Sequence, residues 1–145
     1  MAIITFSWIF PGGKRVIKTI AATAGDVVTN LSPGSGKRWL VLYGMVTIVC
    51  NGTAANREVK AVITDGTSVI MNLGFNATAF TAGQTRIMLY MAGGGTGNSD
   101  EFTNVMTRLP QLCILEAADQ LRITVAAGVA GDSYSGYFVV MEIDN

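Results

Sequence analysis

Glycine-centred turn signals recur every ten to fifteen residues along this chain. They are Pro11-Gly12-Gly13, Ala24-Gly25-Asp26, Pro33-Gly34-Ser35-Gly36, Asn51-Gly52, Asp65-Gly66, Ala82-Gly83, the run from Gly93 to Gly97, and Gly131-Asp132. The stretches between them are rich in β-branched and aromatic residues. Glycine supplies the positive φ of tight turns, and β-branched side chains suit a pleated surface. Such spacing fits short strands of a sandwich or barrel and leaves no room for long helices. The best helical candidate, Glu116 to Gln120, is about one turn long.

The strands are legible from alternation, because successive side chains on a strand face opposite ways. From Arg57 to Asp65, Val59, Ala61 and Ile63 face the core, and Glu58, Lys60 and Thr64 face out. From Gln120 to Ala127, Leu121, Ile123 and Val125 face in, and Arg122 and Thr124 face out. Val16 to Ile20, Trp39 to Cys50, Arg86 to Ala92 and Tyr137 to Ile143 add further strands. Shorter pieces lie around Val27 and from Thr107 to Leu115. The total of about eight is that of a jelly roll. No repeat, charge block or Ser/Pro-rich linker divides the chain. The expected fold is therefore all-β: one jelly-roll-like antiparallel β-sandwich over residues 12–145, preceded by an N-terminal arm, residues 1–11. A domain of 145 residues buries about 68–70% of its unfolded surface and needs no disulfide or metal to fold.

Trp39 to Cys50 breaks the alternation. Trp39, Val41, Tyr43, Met45 and Val49 share one parity, and Leu40, Leu42, Val46, Ile48 and Cys50 share the other. Sheets of this kind normally leave one face to water, so a strand apolar on both parities predicts a cover over its outer side. The arm is one candidate and a neighbouring subunit the other. Ile4, Phe6, Trp8 and Phe10 share a parity in an uncharged segment of high β-propensity, which must dock to avoid aggregation. Two dockings are open: an arm given to a neighbour, or an ordinary first strand of its own sheet.

Composition closes several functional classes. Charged residues make up only 14% of the chain, against about 25% in ordinary soluble domains. Formal net charge is zero, which argues against nucleic acid as a partner. Histidine is absent, so His-based triads, His metal sites and His general bases are ruled out. Cys50 and Cys113 sit alone in apolar runs and read as buried, inert thiols. The charge is uneven along the chain. Residues 1–60 carry seven Lys and Arg against two acids, and residues 61–145 carry three against eight. Opposite halves can orient a subunit contact, or they can cancel within one interleaved fold, which is the commoner outcome.

Local motifs add little chemistry. Pro33 to Arg38 has Leu31 where a P-loop needs glycine and Arg38 where it needs Ser or Thr, and it leads into a strand. The three sequons at Asn30, Asn51 and Asn76 read as turn and strand residues. The apolar N-terminus lacks preceding bases and a cleavage site, so it is not an export signal. At about ten residues it is also too short to cross a bilayer, which takes roughly 20. Cytosolic synthesis and no membrane partner are the expectation. The glycine-rich segment to Glu101, with Asn98, Asp100 and Glu101 at its tip, is a candidate recognition loop but matches no EF-hand spacing. Glu58 and Glu142 sit on solvent-parity strand positions, and no pair of acids is selected for glycosidase work. No enzyme activity and no cofactor are expected.

Two stretches carry a resemblance. One runs from Ser32 to Val49 and on to Ala55-Asn56-Arg57-Glu58-Val59. The other comprises Leu109 to Leu115, Asp119 to Val125 and Ala130 to Tyr134. Over about two-thirds of its length the chain resembles small β-sandwich virion proteins of tailed bacteriophages, most of all head decoration (cement) proteins. Shared features are the lead-in to a long strand (Pro33, Gly36-Lys37, Trp39) and an Asn-Arg turn (Asn56-Arg57). Where the family has a late Gly-Asp-x-Leu strand, this chain has Ala118-Asp119-Gln120-Leu121, a departure. The resemblance implies a structural virion subunit, assembled in the host cytoplasm and forming a small ring, a trimer above other numbers. Its partners would be further copies of itself and the major capsid protein or another virion protein. Contacts are expected from Ile4, Phe6, Trp8 and Phe10, from the bases Lys14, Arg15 and Lys18, and from Trp39 and Tyr43. The alternative is a carbohydrate- or receptor-binding module of a phage fibre or tail accessory protein, working through Asn98, Asp100 and Glu101.

Overall fold

The runs between the turns pair into two sheets. The computed structural model describes residues 12–24, 28–53, 57–73, 82–92, 97–98, 104–110, 112–126 and 128–144. The described strands are β1 (Lys14–Ala24), β2 (Val28–Leu31), β3 (Lys37–Val49), β4 (Glu58–Thr64), β5 (Val69–Asn72) and β6 (Thr85–Ala92). They continue with β7 (Gly97–Asn98), β8 (Asn104–Leu109), β9 (Cys113–Leu115), β10 (Gln120–Ala126) and β11 (Ser133–Asp144). The larger sheet runs β1-β11-β3-β6-β8-β7 with β9 also on β3, and the smaller runs β2-β10-β4-β5.

Without β7, β8 and β9, eight strands remain in two nested sets of four, β1-β11-β3-β6 and β2-β10-β4-β5. The chain changes sheet at every connection among them except the β4–β5 hairpin. That nesting is the jelly roll expected from the sequence. At the hairpin, the Asp65 carboxylate accepts from the amides of Thr67 (2.8 Å) and Ser68 (2.6 Å), and Gly66 takes a φ of 92°. An Asx turn of this type closes two strands without a longer loop.

Four expectations are corrected. First, the strands are more numerous. β5 and β7 had no alternation long enough to read, and Thr107 to Leu115 is two strands divided at Pro110, which lacks the N–H a ladder needs. Second, β8 runs parallel to β6, the one departure from antiparallel pairing among the described strands. Third, Glu116 to Gln120 is a turn: the Asp119 amide donates to the Glu116 carbonyl (2.9 Å) and the Asp119 carboxylate accepts from the Glu116 amide (2.8 Å). Fourth, Thr64 is fully buried; its hydroxyl accepts from the Gly66 amide at 3.1 Å.

β3 explains its own two-faced pattern. In its ladder with β11, Tyr43 pairs Val139 but Val41 pairs Val140, so Leu42 is an extra, bulged residue. A one-residue bulge reverses which parity faces inward. Trp39 and Val41 face the core before it, and Val46, Ile48 and Cys50 face the core after it. Part of the double apolarity is thus one inward face read in two registers.

The core between the sheets holds Ile20, Trp39, Val46, Met88, Leu121, Phe138 and their neighbours. The Phe138 and Tyr90 rings lie 5.4 Å apart between centroids. Gly44 makes room for them, since a Cβ there would overlap the Phe138 ring. Cys113 pairs with Val41, nine residues before Cys50 along the extended chain, or about 30 Å at 3.3 Å per residue. Both thiols are free and buried. Burial pushes Cys113 up to about 11 and raises Cys50 as well.

Gly44→Ala is expected to cost about 1–3 kcal/mol through overpacking against Phe138. Urea unfolding should show a lower midpoint at unchanged slope. An unchanged midpoint would mean that the ring does not lie over Gly44.

Candidate interaction surface

The outer face of the larger sheet is set by the same register. Across β1, β11, β3 and β6, one row reads Ile17, Val139, Tyr43, Met91. The next outward row reads Thr19, Tyr137, Met45, Leu89. On the other side lies Arg15, Met141, Leu40 and, on β9, Ile114. Arg15 is the single charge in these rows, and it stands at the margin. The alternate residues, Val16, Phe138, Val140, Val41 and Tyr90, face the core. Several of the outward side chains are open to solvent: Ile17 is 63% exposed, Met91 44% and Tyr43 42%. Tyr43 and Tyr137 meet edge to face, 6.5 Å between centroids. Val139 and Leu40, in the middle of two of these rows, are only 2% and 3% exposed, so the open apolar side chains flank a covered centre.

Charge has been withdrawn from that face into the fold. Glu142 accepts from Lys37 Nζ (2.6 Å), Trp39 Nε1 (2.8 Å) and Lys18 Nζ (3.1 Å). The Lys18 ammonium also lies 4.6 Å from the Trp39 ring centroid, a cation–π contact. The Lys37 ammonium, then the Trp39 indole N–H, hold the Glu142 carboxyl down at about 2. The same bond raises Lys37. Solvent parity had been expected for Glu142. It shares parity with Val140 and Phe138 instead, and its side chain is only 13% exposed.

A second carboxylate is buried outright. Asp132 receives Arg57 Nε at 2.5 Å and Nη2 at 2.9 Å, and neither side chain is more than 3% exposed. The Asn51 amide (2.7 Å) and Val129 amide (2.9 Å) complete its shell. Asn51 adds Nδ2 to the Ala130 carbonyl and offers Oδ1 to Arg57 Nη2 at 3.1 Å. This clamp ties the end of β3 to the lead-ins of β4 and β11. Hydrogen bonding to the guanidinium puts Asp132 at about 2. Sequence reasoning missed the pair, because its members lie 75 residues apart.

With Arg38 on Glu116 at 3.7 Å, every described ion pair joins a base from residues 1–60 to an acid from residues 61–145. The charge asymmetry along the chain is spent inside one interleaved fold.

The expected contact residues divide accordingly. Tyr43 lies on the outer face. Lys14 and Arg15 are exposed on β1. Lys18 is engaged with Glu142, and Trp39 is 2% exposed in the core, so its side chain is not available to a partner. Ile4, Phe6, Trp8 and Phe10 lie outside the described residues, as do Asp100 and Glu101. Asn98 belongs to β7, opposite Val105.

No protein-family model matches the chain, and no curated protein does. A chain in a solved structure of infectious bursal disease virus, Gx strain, overlays 92% of this chain with a TM-score of 0.39 and 13% identity. This chain spans 30% of that one. A likeness at that level says nothing about function.

Both low carboxyl values bear on acid stability. A folded-state value near 2, below the ordinary 4.5 of Glu and 3.8 of Asp, stabilises fully above about pH 5. That stabilisation is lost as pH falls through about 4 towards 2. Urea midpoints should be level from pH 7 to 5 and drop below pH 4, and Glu142→Gln should drop less over the same range. An equal drop would remove Glu142 from the effect. Arg57→Ala leaves Asp132 buried without a counter-ion and should cost about 3–5 kcal/mol in the same assay at pH 7.

Proposed function

We propose that the chain is a non-enzymatic structural subunit of a virion, of the head decoration type, which assembles into a small ring and sits on a capsid. The observation that carries this reading is the outer face of the larger sheet, whose three rows hold one charge, Arg15 at the margin, with Ile17, Tyr43 and Met91 open to water in the single chain. A lone subunit has no use for such a face, whereas a ring buries it. The resemblance of the Ser32 to Val49 and Leu109 to Tyr134 stretches to phage decoration proteins supplies the setting. The non-enzymatic part is supported by the work its acids do: Asp65 and Asp119 close turns, and Asp132 and Glu142 hold buried donors. A trimer is the favoured ring, with the capsid shell as the further partner and the virion as the location.

Light scattering of the purified protein across a hundredfold dilution tests the ring. A trimeric mass that persists is expected, and Met91→Lys with Ile17→Lys should reduce it to a folded monomer. A wild-type monomer at every concentration would overturn the reading. Immunogold labelling of virus particles separates head from fibre: label on heads is expected, and label confined to fibre or tail tips would replace decoration with receptor binding.

A further inference from the structure

We propose that the Arg57–Asp132 clamp holds shut a self-modification site at Asn51-Gly52, where the chain converts its own asparagine to aspartate or isoaspartate once the clamp opens. Asn51 is the one asparagine of the sequence that is followed by glycine. The chemistry needs only water and hydroxide. The Gly52 amide nitrogen, having lost its proton to hydroxide, attacks Asn51 Cγ, and a C–N bond forms. The Cγ–Nδ2 bond breaks, and Nδ2 leaves as ammonia with a proton taken from water. Water then opens the cyclic imide at either carbonyl, leaving aspartate or isoaspartate. Glycine has no Cβ to obstruct the attack. Gly52 is also exposed, with no atom within 4 Å of where a Cβ would lie.

Ring closure needs the carboxamide free to turn towards the Gly52 nitrogen and Nδ2 free to leave, and both of its ends are tied. Nδ2 donates to the Ala130 carbonyl, and Oδ1 accepts from the Thr53 amide (2.8 Å) and Arg57 Nη2 (3.1 Å). The main chain of Asn51 is tied as well. Its amide donates to Asp132 (2.7 Å), and its carbonyl accepts from the Gly83 amide (2.7 Å). Reactions of this kind depend steeply on the placement of the reacting atoms. Arg57 is bonded to Asp132, and Ala130 lies in the turn that Asp132 closes on the Val129 amide (2.9 Å). Both side-chain anchors of Asn51 therefore depend on Asp132, and local opening of the clamp releases them together.

The conversion is not undone when the clamp closes again. Aspartate sets a carboxylate oxygen against the Ala130 carbonyl, acceptor against acceptor, where Nδ2 had donated. Isoaspartate lengthens the main chain by one carbon just past β3, between the Gly83 bond and the bond from Arg57 Nη2 to the Thr53 carbonyl (2.9 Å). A copy that has opened is marked permanently.

The test follows the mass of the peptide holding Asn51 in the full chain at mildly alkaline pH, folded and in urea; conversion adds one mass unit. The folded chain should convert at least about a hundredfold more slowly than the unfolded one. Arg57→Lys keeps the charge and loses the Nη2 bonds, and should convert at least about tenfold faster than wild type while folded. Gly44→Ala weakens the core away from the clamp and should keep the wild-type rate. Asn51→Asp, the product, should lower the urea midpoint. Equal rates in the folded and unfolded chain would overturn the proposal. So would Gly44→Ala accelerating conversion as much as Arg57→Lys, or an unchanged midpoint for Asn51→Asp. Wild type and Asn51→Asp decide the matter where Arg57→Lys does not fold.

Discussion

Everything in the larger sheet hangs on the pairing of β3. One edge of this strand carries β11 along its whole length, and the other is shared by β9 at Trp39 to Val41 and β6 at Tyr43 to Val49. The bulge at Leu42 lies at the change-over between those two partners. It lets a single strand present Trp39 to the core at one end and Val46 and Ile48 at the other. The same shift brings Tyr43 and Met45 outward, in line with Ile17 and Met91. Move the bulge by one residue and the apolar row on the outside would be interrupted by core residues. The candidate contact face is thus a product of strand register more than of composition.

Much of this was legible. Alternation found eight strands, and turn glycines found most of their boundaries, because both signals are local. The failures share a cause. A bulge is defined against the partner strand, so Leu42 looks ordinary in its own sequence. β11 is apolar on both parities from Tyr137 to Val140, so Glu142 could be placed on the wrong side. β5 is four residues long and open on both faces, leaving no pattern to read. Arg57 and Asp132 each resemble a turn residue until the fold joins them.

The ion pairs and the outer face are two sides of one economy of charge. A chain with few charged residues cannot both satisfy buried cations and solvate every surface. Here Lys18 and Lys37 converge on Glu142, and Arg57 is closed off with Asp132. Such buried or half-buried pairs contribute little net stability over apolar replacements, but they fix which segments meet. They tie β1 to β11 and the end of β3 to the turn before β11, which are the junctions that keep the rows of the outer face in register.

Two of the sheet edges discourage pairing with another chain. An open edge strand invites pairing with another chain, and cations along it discourage that. β1 carries Lys14 and Arg15, both exposed, so stacking of two larger sheets edge to edge would bring four like charges together. On the smaller sheet, the edge strand β5 has no charge, but it is short and its ladder with β4 is broken by a register shift at Ile63 and Thr64. A bent four-residue edge offers few consecutive backbone groups to a new strand. At these two of the four described sheet ends, growth by extension is opposed by charge or shortened. On the outer face of the larger sheet the exposed groups are side chains, Ile17, Tyr43 and Met91, and not backbone. Side-chain contact between two different surfaces closes a ring only where the rotation from copy to copy returns to the first, and otherwise runs on as a fibre.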